Sequence, residues 1–129
     1  MVCGLLVMRD MAGDASKHIR LKIRALTGDP AMGPGKADLL ELIARTGSIS
    51  AAAREMHMSY RRAWALVQIM NSAFAIPLVK SEAGGSHGGG AVLTAEGMRI
   101  LKDYRDAEQA AYKAAQPHIR RIRSRMHKA

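Results

Sequence analysis

Three periods of apolar and polar residues succeed one another along this chain. Between His18 and Ala25 the pattern alternates: Ile19, Leu21, Ile23 and Ala25 fall on one face, Arg20, Lys22 and Arg24 on the other. That predicts a half-buried strand with a basic outer face. Thr27-Gly28-Asp29-Pro30 ends it, and Gly33-Pro34-Gly35 prolongs the break. From Lys36 the period lengthens. Leu39, Leu42, Ile43 and Thr46 recur at three and four residues and predict a helix that stops at Gly47. Ser48 is placed to cap a short second helix, about Ile49 to Met56, whose Ala51-Ala52-Ala53 lets another helix approach closely. A tight turn at His57-Met58 follows, and Ser59 caps a third helix reaching about Ala73.

Beyond Pro77, two short apolar runs, Leu78-Val79-Lys80-Ser81 and Ala91-Val92-Leu93, flank a glycine-rich stretch and predict a β-hairpin. Thr94 caps a long helix with Met98, Leu101, Tyr104 and Ala107 or Glu108 at helical spacing, which Pro117 is expected to kink or divide. Helix, short helix, tight turn, capped helix and then hairpin is the order of a winged helix-turn-helix. The expected fold is therefore mainly α with a small β-sheet. Residues 1–17 read as a flexible leader, 18–93 as the winged domain, and 94–129 as a long helix for dimerisation with a basic tail.

Composition sharpens the picture. With 4% aromatics, the core must be built from Leu, Ile, Val, Ala and Met. Lys and Arg number 20 against 11 Asp and Glu, a formal net charge of +9. An excess of that size points to a polyanionic partner, nucleic acid or an anionic membrane surface. The single cysteine, Cys3, excludes an intrachain disulfide framework and a cysteine-based zinc site, and fits a reducing cytoplasm. The apolar run Leu5–Met8 is too short to span a membrane or form a signal-peptide core.

The third helix carries the candidate chemistry. Ala63, Val67 and Met70, with Leu66 beside them, make its buried stripe, so Tyr60, Arg61, Trp64 and Gln68 share the outward side. A lone tryptophan is more often packed than exposed, which makes Trp64 the weakest member of that set. Arginine reads guanine and glutamine reads adenine through paired hydrogen bonds in the major groove, and a tyrosine hydroxyl can hold a phosphate. Arg61 and Gln68 are thus the candidates for base edges, and Ser48, Ser59, Tyr60, Arg62 and Lys80 for the sugar–phosphate backbone. The glycine-rich wing, 82–91, lacks the Gly-Lys-Ser or Gly-Lys-Thr of a phosphate-cradling loop. It is expected to lay its backbone near a phosphate, helped by Lys80 and His87. No partner at useful spacing makes His87 a metal ligand. No nucleophile–base pair or carboxylate cluster is present, so neither an enzyme, a metal nor a cofactor is expected.

The run from Leu39 to Ala53, with Thr46-Gly47-Ser48-Ile49-Ser50, followed by Met58-Ser59-Tyr60-Arg61-Arg62-Ala63-Trp64, resembles the DNA-binding half of the molybdate-responsive (ModE) regulators. Met70-Asn71, Pro77-Leu78-Val79, the glycine-rich tip and Leu93-Thr94-Ala95-Glu96-Gly97 are similar to that family's wing and following helix. More distantly, the pattern resembles the helix-turn-helix of LysR-type regulators. The resemblance covers about residues 18–110 and implies a homodimer on a palindromic or near-palindromic stretch of double-stranded DNA. Members of the family also carry small β-barrel domains that bind molybdate. No stretch here matches them, so the resemblance implies no molybdate site in this sequence and leaves a separate sensor protein open as partner. His57 stands where related sequences often have glycine, an expected source of strain if the turn needs positive φ. The expected function is a sequence-specific regulator that binds DNA as a homodimer in the cytoplasm. The alternatives are a protein-interaction adaptor and a protein that coats DNA without sequence preference.

Overall fold

The computed structural model of the chain describes residues 19–24, 26, 30–82 and 90–127. Its first helix, α1 (Pro34–Thr46), starts two residues earlier than the periodicity predicts. Pro34 sits in the first turn, where an amide N–H would have no partner in the helix, and its fixed φ suits the start. The extended Gly33 supplies the carbonyl that takes the Ala37 N–H at 3.0 Å. At the other end Gly47 adopts φ 73°, and its N–H bonds the Ile43 carbonyl at 2.8 Å, closing the helix with a left-handed residue. Ala37, Leu39, Leu40, Leu42 and Ile43 are all buried.

The short α2 (Ile49–Glu55) is capped as expected: the Ser48 hydroxyl accepts the Ala51 N–H at 3.1 Å. Ala52 and Ala53 are buried, so α2 presents little more than methyl groups to its neighbours. His57 in the following turn has φ 57°, the left-handed conformation that is costly for a residue with a Cβ. Ser59 then caps α3 (Tyr60–Ala73) by accepting the Arg62 N–H at 3.1 Å. Ala63, Val67 and Met70 form its buried stripe.

Two small antiparallel sheets complete the winged part. β3 (Val79–Glu82) pairs with β4 (Gly90–Leu93) in the register Val79–Leu93, Lys80–Val92, Ser81–Ala91 and Glu82–Gly90. Residues 83–89, with His87, lie outside the described residues. The strand expected over 18–25 shrinks to β1 (Ile23–Arg24), opposite β2 (Pro30–Met32). Residues 19–22 are not in a strand, and Ile23, placed on the buried face by its alternation, is 42% exposed. His18 and Ala25 lie outside the described residues. A strand extends only as far as a neighbour pairs with it, and β2 offers three residues with an irregular register.

The long α4 (Ala95–Arg123) is one continuous helix through Pro117, which neither ends nor divides it. Proline there removes a single backbone hydrogen bond, and Ala110, Ala111, Ala114 and Ala115 supply strong helix formers in the turns before it. Leu101 and Tyr104 are buried as expected, whereas Met98 is 37% exposed. The described residues form two compact units, one within 22–104 and one combining 19–21 with 105–127. In the first, Met32, Leu39, Leu40, Ile43, Val67, Met70, Leu78, Leu101 and Tyr104 are fully buried. In the second, Arg105 and Glu108 lie buried one helical turn apart with a 3.0 Å ion pair.

Candidate nucleic-acid interface

Helix α3 owes its exposed face to its buried one. With Ala63, Val67 and Met70 turned inward, the helical repeat turns Tyr60, Arg61, Trp64 and Gln68 outward, and all four are exposed. Trp64, the member most prone to be packed inside, is 48% exposed, and Tyr60 is 54% exposed. Arg62 shares the first turn and is also exposed. The helix contains no acidic residue, so its two guanidinium groups and the positive end of its dipole act in the same sense, toward an anion. Ser59 is exposed beside them; its oxygen accepts the helix-capping bond and its O–H remains able to donate outward. Ser48 has the same arrangement at the start of α2 but is half-buried.

The hairpin flanks this helix. Along β3 the side chains go from buried Val79 to exposed Lys80, which leaves the lysine ammonium free to meet solvent. The structure thus places Ser59 at the cap of α3 and Tyr60, Arg61, Arg62, Trp64 and Gln68 on its exposed surface, with Lys80 on the hairpin bonded to the last turn of the same helix. His87 lies outside the described residues.

Three contacts fix the hairpin in place. Asn71, in the last turn of α3, accepts the Leu78 and Val79 N–H groups at 2.9 and 3.1 Å and donates to the Val79 carbonyl at 3.0 Å. The Gly47 carbonyl accepts the Ala91 N–H at 2.9 Å, and a Cβ on Gly90 would come within 2.9 Å of that oxygen. Thr94 caps α4 through the Gly97 N–H at 3.0 Å and donates its own O–H to the Pro77 carbonyl at 2.7 Å. Sequence periodicity carries no signal for Asn71. Its partners lie seven and eight residues away across a turn, and the residue by itself reads as a helix terminus.

Ile69 and Ile76 are a second omission, 48% and 51% exposed near the end of α3. On α1, burial pushes the Lys36 ammonium below the ordinary lysine value. Among the described residues no three His, Cys, Asp or Glu side chains come together to hold a metal ion, and no helix is long and apolar enough to cross a membrane.

Residues 36–98, from α1 to the first turn of α4, match the family model of the bacterial regulatory helix-turn-helix protein, lysR family. Over those residues the chain is similar to LysR-type helix-turn-helix domains. It is also ModE-like. The chain is 47% identical over 92 residues to the molybdenum-pterin-binding protein MopB of Rhodobacter capsulatus, covering 71% of this chain and 34% of that protein. It is 41% identical over 81 residues to the DNA-binding transcriptional dual regulator ModE of Escherichia coli (strain K12), covering 63% of this chain and 31% of the regulator. The chain therefore spans about one third of the length of these curated relatives. The solved structure of the CbnR_DBD–DNA complex superposes with a TM-score of 0.53 at 24% identity, over 70% of this chain and 97% of that one. That likeness is one of fold, and it places residues 22–104 among winged helix-turn-helix structures.

Proposed function

We propose that this chain is a transcription regulator that binds double-stranded DNA as a homodimer, with α3 in the major groove and the wing against the backbone. The observation that carries the reading is the outward face of α3, where Tyr60, Arg61, Trp64 and Gln68 stand exposed without a carboxylate among them. An arginine and a glutamine within the first three turns of a recognition helix can reach base edges, and each such pairing discriminates between bases. Arg61 and Gln68 are assigned that role. Ser48, Ser59, Tyr60, Arg62 and Lys80 are assigned to phosphates, with Trp64 packing against the sugar edge and His87 assisting at the wing. The names of the ModE relatives support the same reading.

The dimer is supported by α4. Its apolar positions continue past the buried Leu101 and Tyr104 to Ile122, 58% exposed, and just beyond its end Met126 is 60% exposed. Such a dimer would hold its two α3 helices roughly 34 Å apart, one turn of DNA.

The test is selection of bound duplexes from a random pool by the whole chain at near-physiological salt. Enrichment of two related half-sites about one turn apart supports the dimeric reader. Binding without enrichment indicates a protein that coats DNA. No binding at any salt would favour a protein-interaction adaptor, for which the exposed Ile69 and Ile76 offer apolar contact area.

A further inference from the structure

The two strands of the wing take their positions from different parts of the domain. β4 is held at the corner between α1 and α2, where the Gly47 carbonyl accepts the Ala91 N–H at 2.9 Å. The start of β3 is held by Asn71 of α3, whose one amide makes three bonds: it accepts from the Leu78 and Val79 N–H groups and donates to the Val79 carbonyl. All three bonds land immediately before Lys80, the exposed cation of the wing. Asparagine suits the place because its side chain both accepts twice and donates. An aspartate would keep the two acceptor bonds and lose the third, and an alanine would lose all three.

We propose that Asn71 is a positioning residue for DNA binding, fixing the wing, and Lys80 with it, at a set distance along the duplex from the base-reading face of α3. The inference rests on the DNA-binding reading given above. A backbone contact from a hairpin whose end is free to shift is averaged over many positions, so a lysine there neutralises a given phosphate only part of the time. Tied to α3, the same lysine meets one phosphate whenever α3 occupies the major groove. The consequence is a specific coupling. Asn71 acts through Lys80 and not through Arg61, whose place on α3 is set by the buried stripe of that helix.

Double-mutant cycles in the whole chain test this, read by fluorescence anisotropy on a duplex taken from the selection, over a series of salt concentrations. In the wild-type background Lys80→Gln should lower the slope of log affinity against log salt by about 0.9, the loss of one phosphate contact. In the Asn71→Ala background the same substitution should lower the slope by less than half as much, because the lysine then meets its phosphate only part of the time. Arg61→Gln should weaken binding by the same factor in both backgrounds. If Asn71→Ala no longer melts cooperatively, Asn71→Asp, which retains two of the three bonds, takes its place and should shrink the Lys80→Gln effect in the same direction. An equal drop in slope in both backgrounds overturns the proposal, as does a Lys80→Gln slope equal to that of the wild type. A purely structural asparagine would reduce the Lys80 and Arg61 contributions alike. Failure of the wild-type chain to hold any duplex overturns the DNA-binding reading itself, whereas normal binding with additive cycles overturns the role of Asn71 alone.

Discussion

Gly97 in the first turn of α4 lies against the backbone of Leu78, so close that a Cβ on it would stand 2.2 Å from the Leu78 carbonyl oxygen and 3.0 Å from its carbon. That same oxygen accepts the Thr94 N–H at 2.9 Å, which closes the entry of α4 onto the start of the wing. Alanine would favour the helix by about 1 kcal/mol over glycine. The clash is with fixed backbone and outweighs it. Gly97→Ala is expected to destabilise the domain by about 1–3 kcal/mol, the range of overpacked cores, measured as a lower urea midpoint at unchanged slope. A midpoint at or above the wild-type value would mean that α4 can slide away from Leu78 at little cost.

The turn between α2 and α3 stores strain in one residue. His57 has φ 57° and is exposed, so its side chain gives little packing in return. Glycine takes that conformation without penalty, and His57→Gly is expected to stabilise by about 0.5–1 kcal/mol. His57→Val places a β-branched residue there and should cost about 1–2 kcal/mol. Thermal unfolding of the three proteins should rank them glycine, histidine, valine; any other order contradicts the strain.

Close packing of small side chains should show as a contrast between neighbours on α3. Ala63 is fully buried and Ala65 exposed. Ala63→Leu forces extra methyl groups into a filled space and should cost about 1–3 kcal/mol. Ala65→Leu should stay within about 0.5 kcal/mol of the wild type. Equal effects of the two changes in chemical denaturation would show that α3 does not bury the face assigned to it.

Arg61 and Arg62 stand side by side yet should fail differently. Arg61→Ala is expected to lose about 1–3 kcal/mol on the selected duplex and to relax the preference at one base position. Arg62→Ala should weaken every duplex alike and reduce the salt slope by about 1. Repeating the random-pool selection with each variant distinguishes them, and an unaltered motif from Arg61→Ala would remove that residue from base reading.

The proposed dimer should be lost when its apolar contact is charged. Wild type is expected to sediment as a dimer, and Ile122→Asp, which places a carboxylate on an exposed apolar position of α4, as a monomer at the same concentration. Helix content should stay near the wild-type value, because Ile122 is 58% exposed and stands one residue before the end of α4. A dimer of undiminished stability would move the interface elsewhere.

Much of this was legible from local chemistry. Ser48, Ser59 and Thr94 cap the helices that their positions predict, because a serine or threonine hydroxyl reaches an N–H three residues on whatever surrounds it. The buried stripe of α3, and with it the exposure of Tyr60, Arg61, Trp64 and Gln68, follows from the helical repeat alone. The strand over 18–25 failed for the opposite reason. Alternation describes which way side chains would point if the segment were paired, and pairing is set by a second segment, here only Pro30–Met32. Pro117 does not divide α4, because a single lost backbone bond cannot end a helix whose preceding turns are rich in alanine.

The sequence by itself thus determined the order of the elements, their caps, the inward and outward faces of α3, and the excess of positive charge. Each depends on residues within a few positions of one another. Tertiary structure decided where the wing lies. Asn71, Gly47, Gly97 and Thr94 hold it through partners that are distant in the chain or that only the folded backbone brings near. Their fitness for that place, an amide with three bonds to make or a glycine without a Cβ, has meaning only once the other segment has arrived.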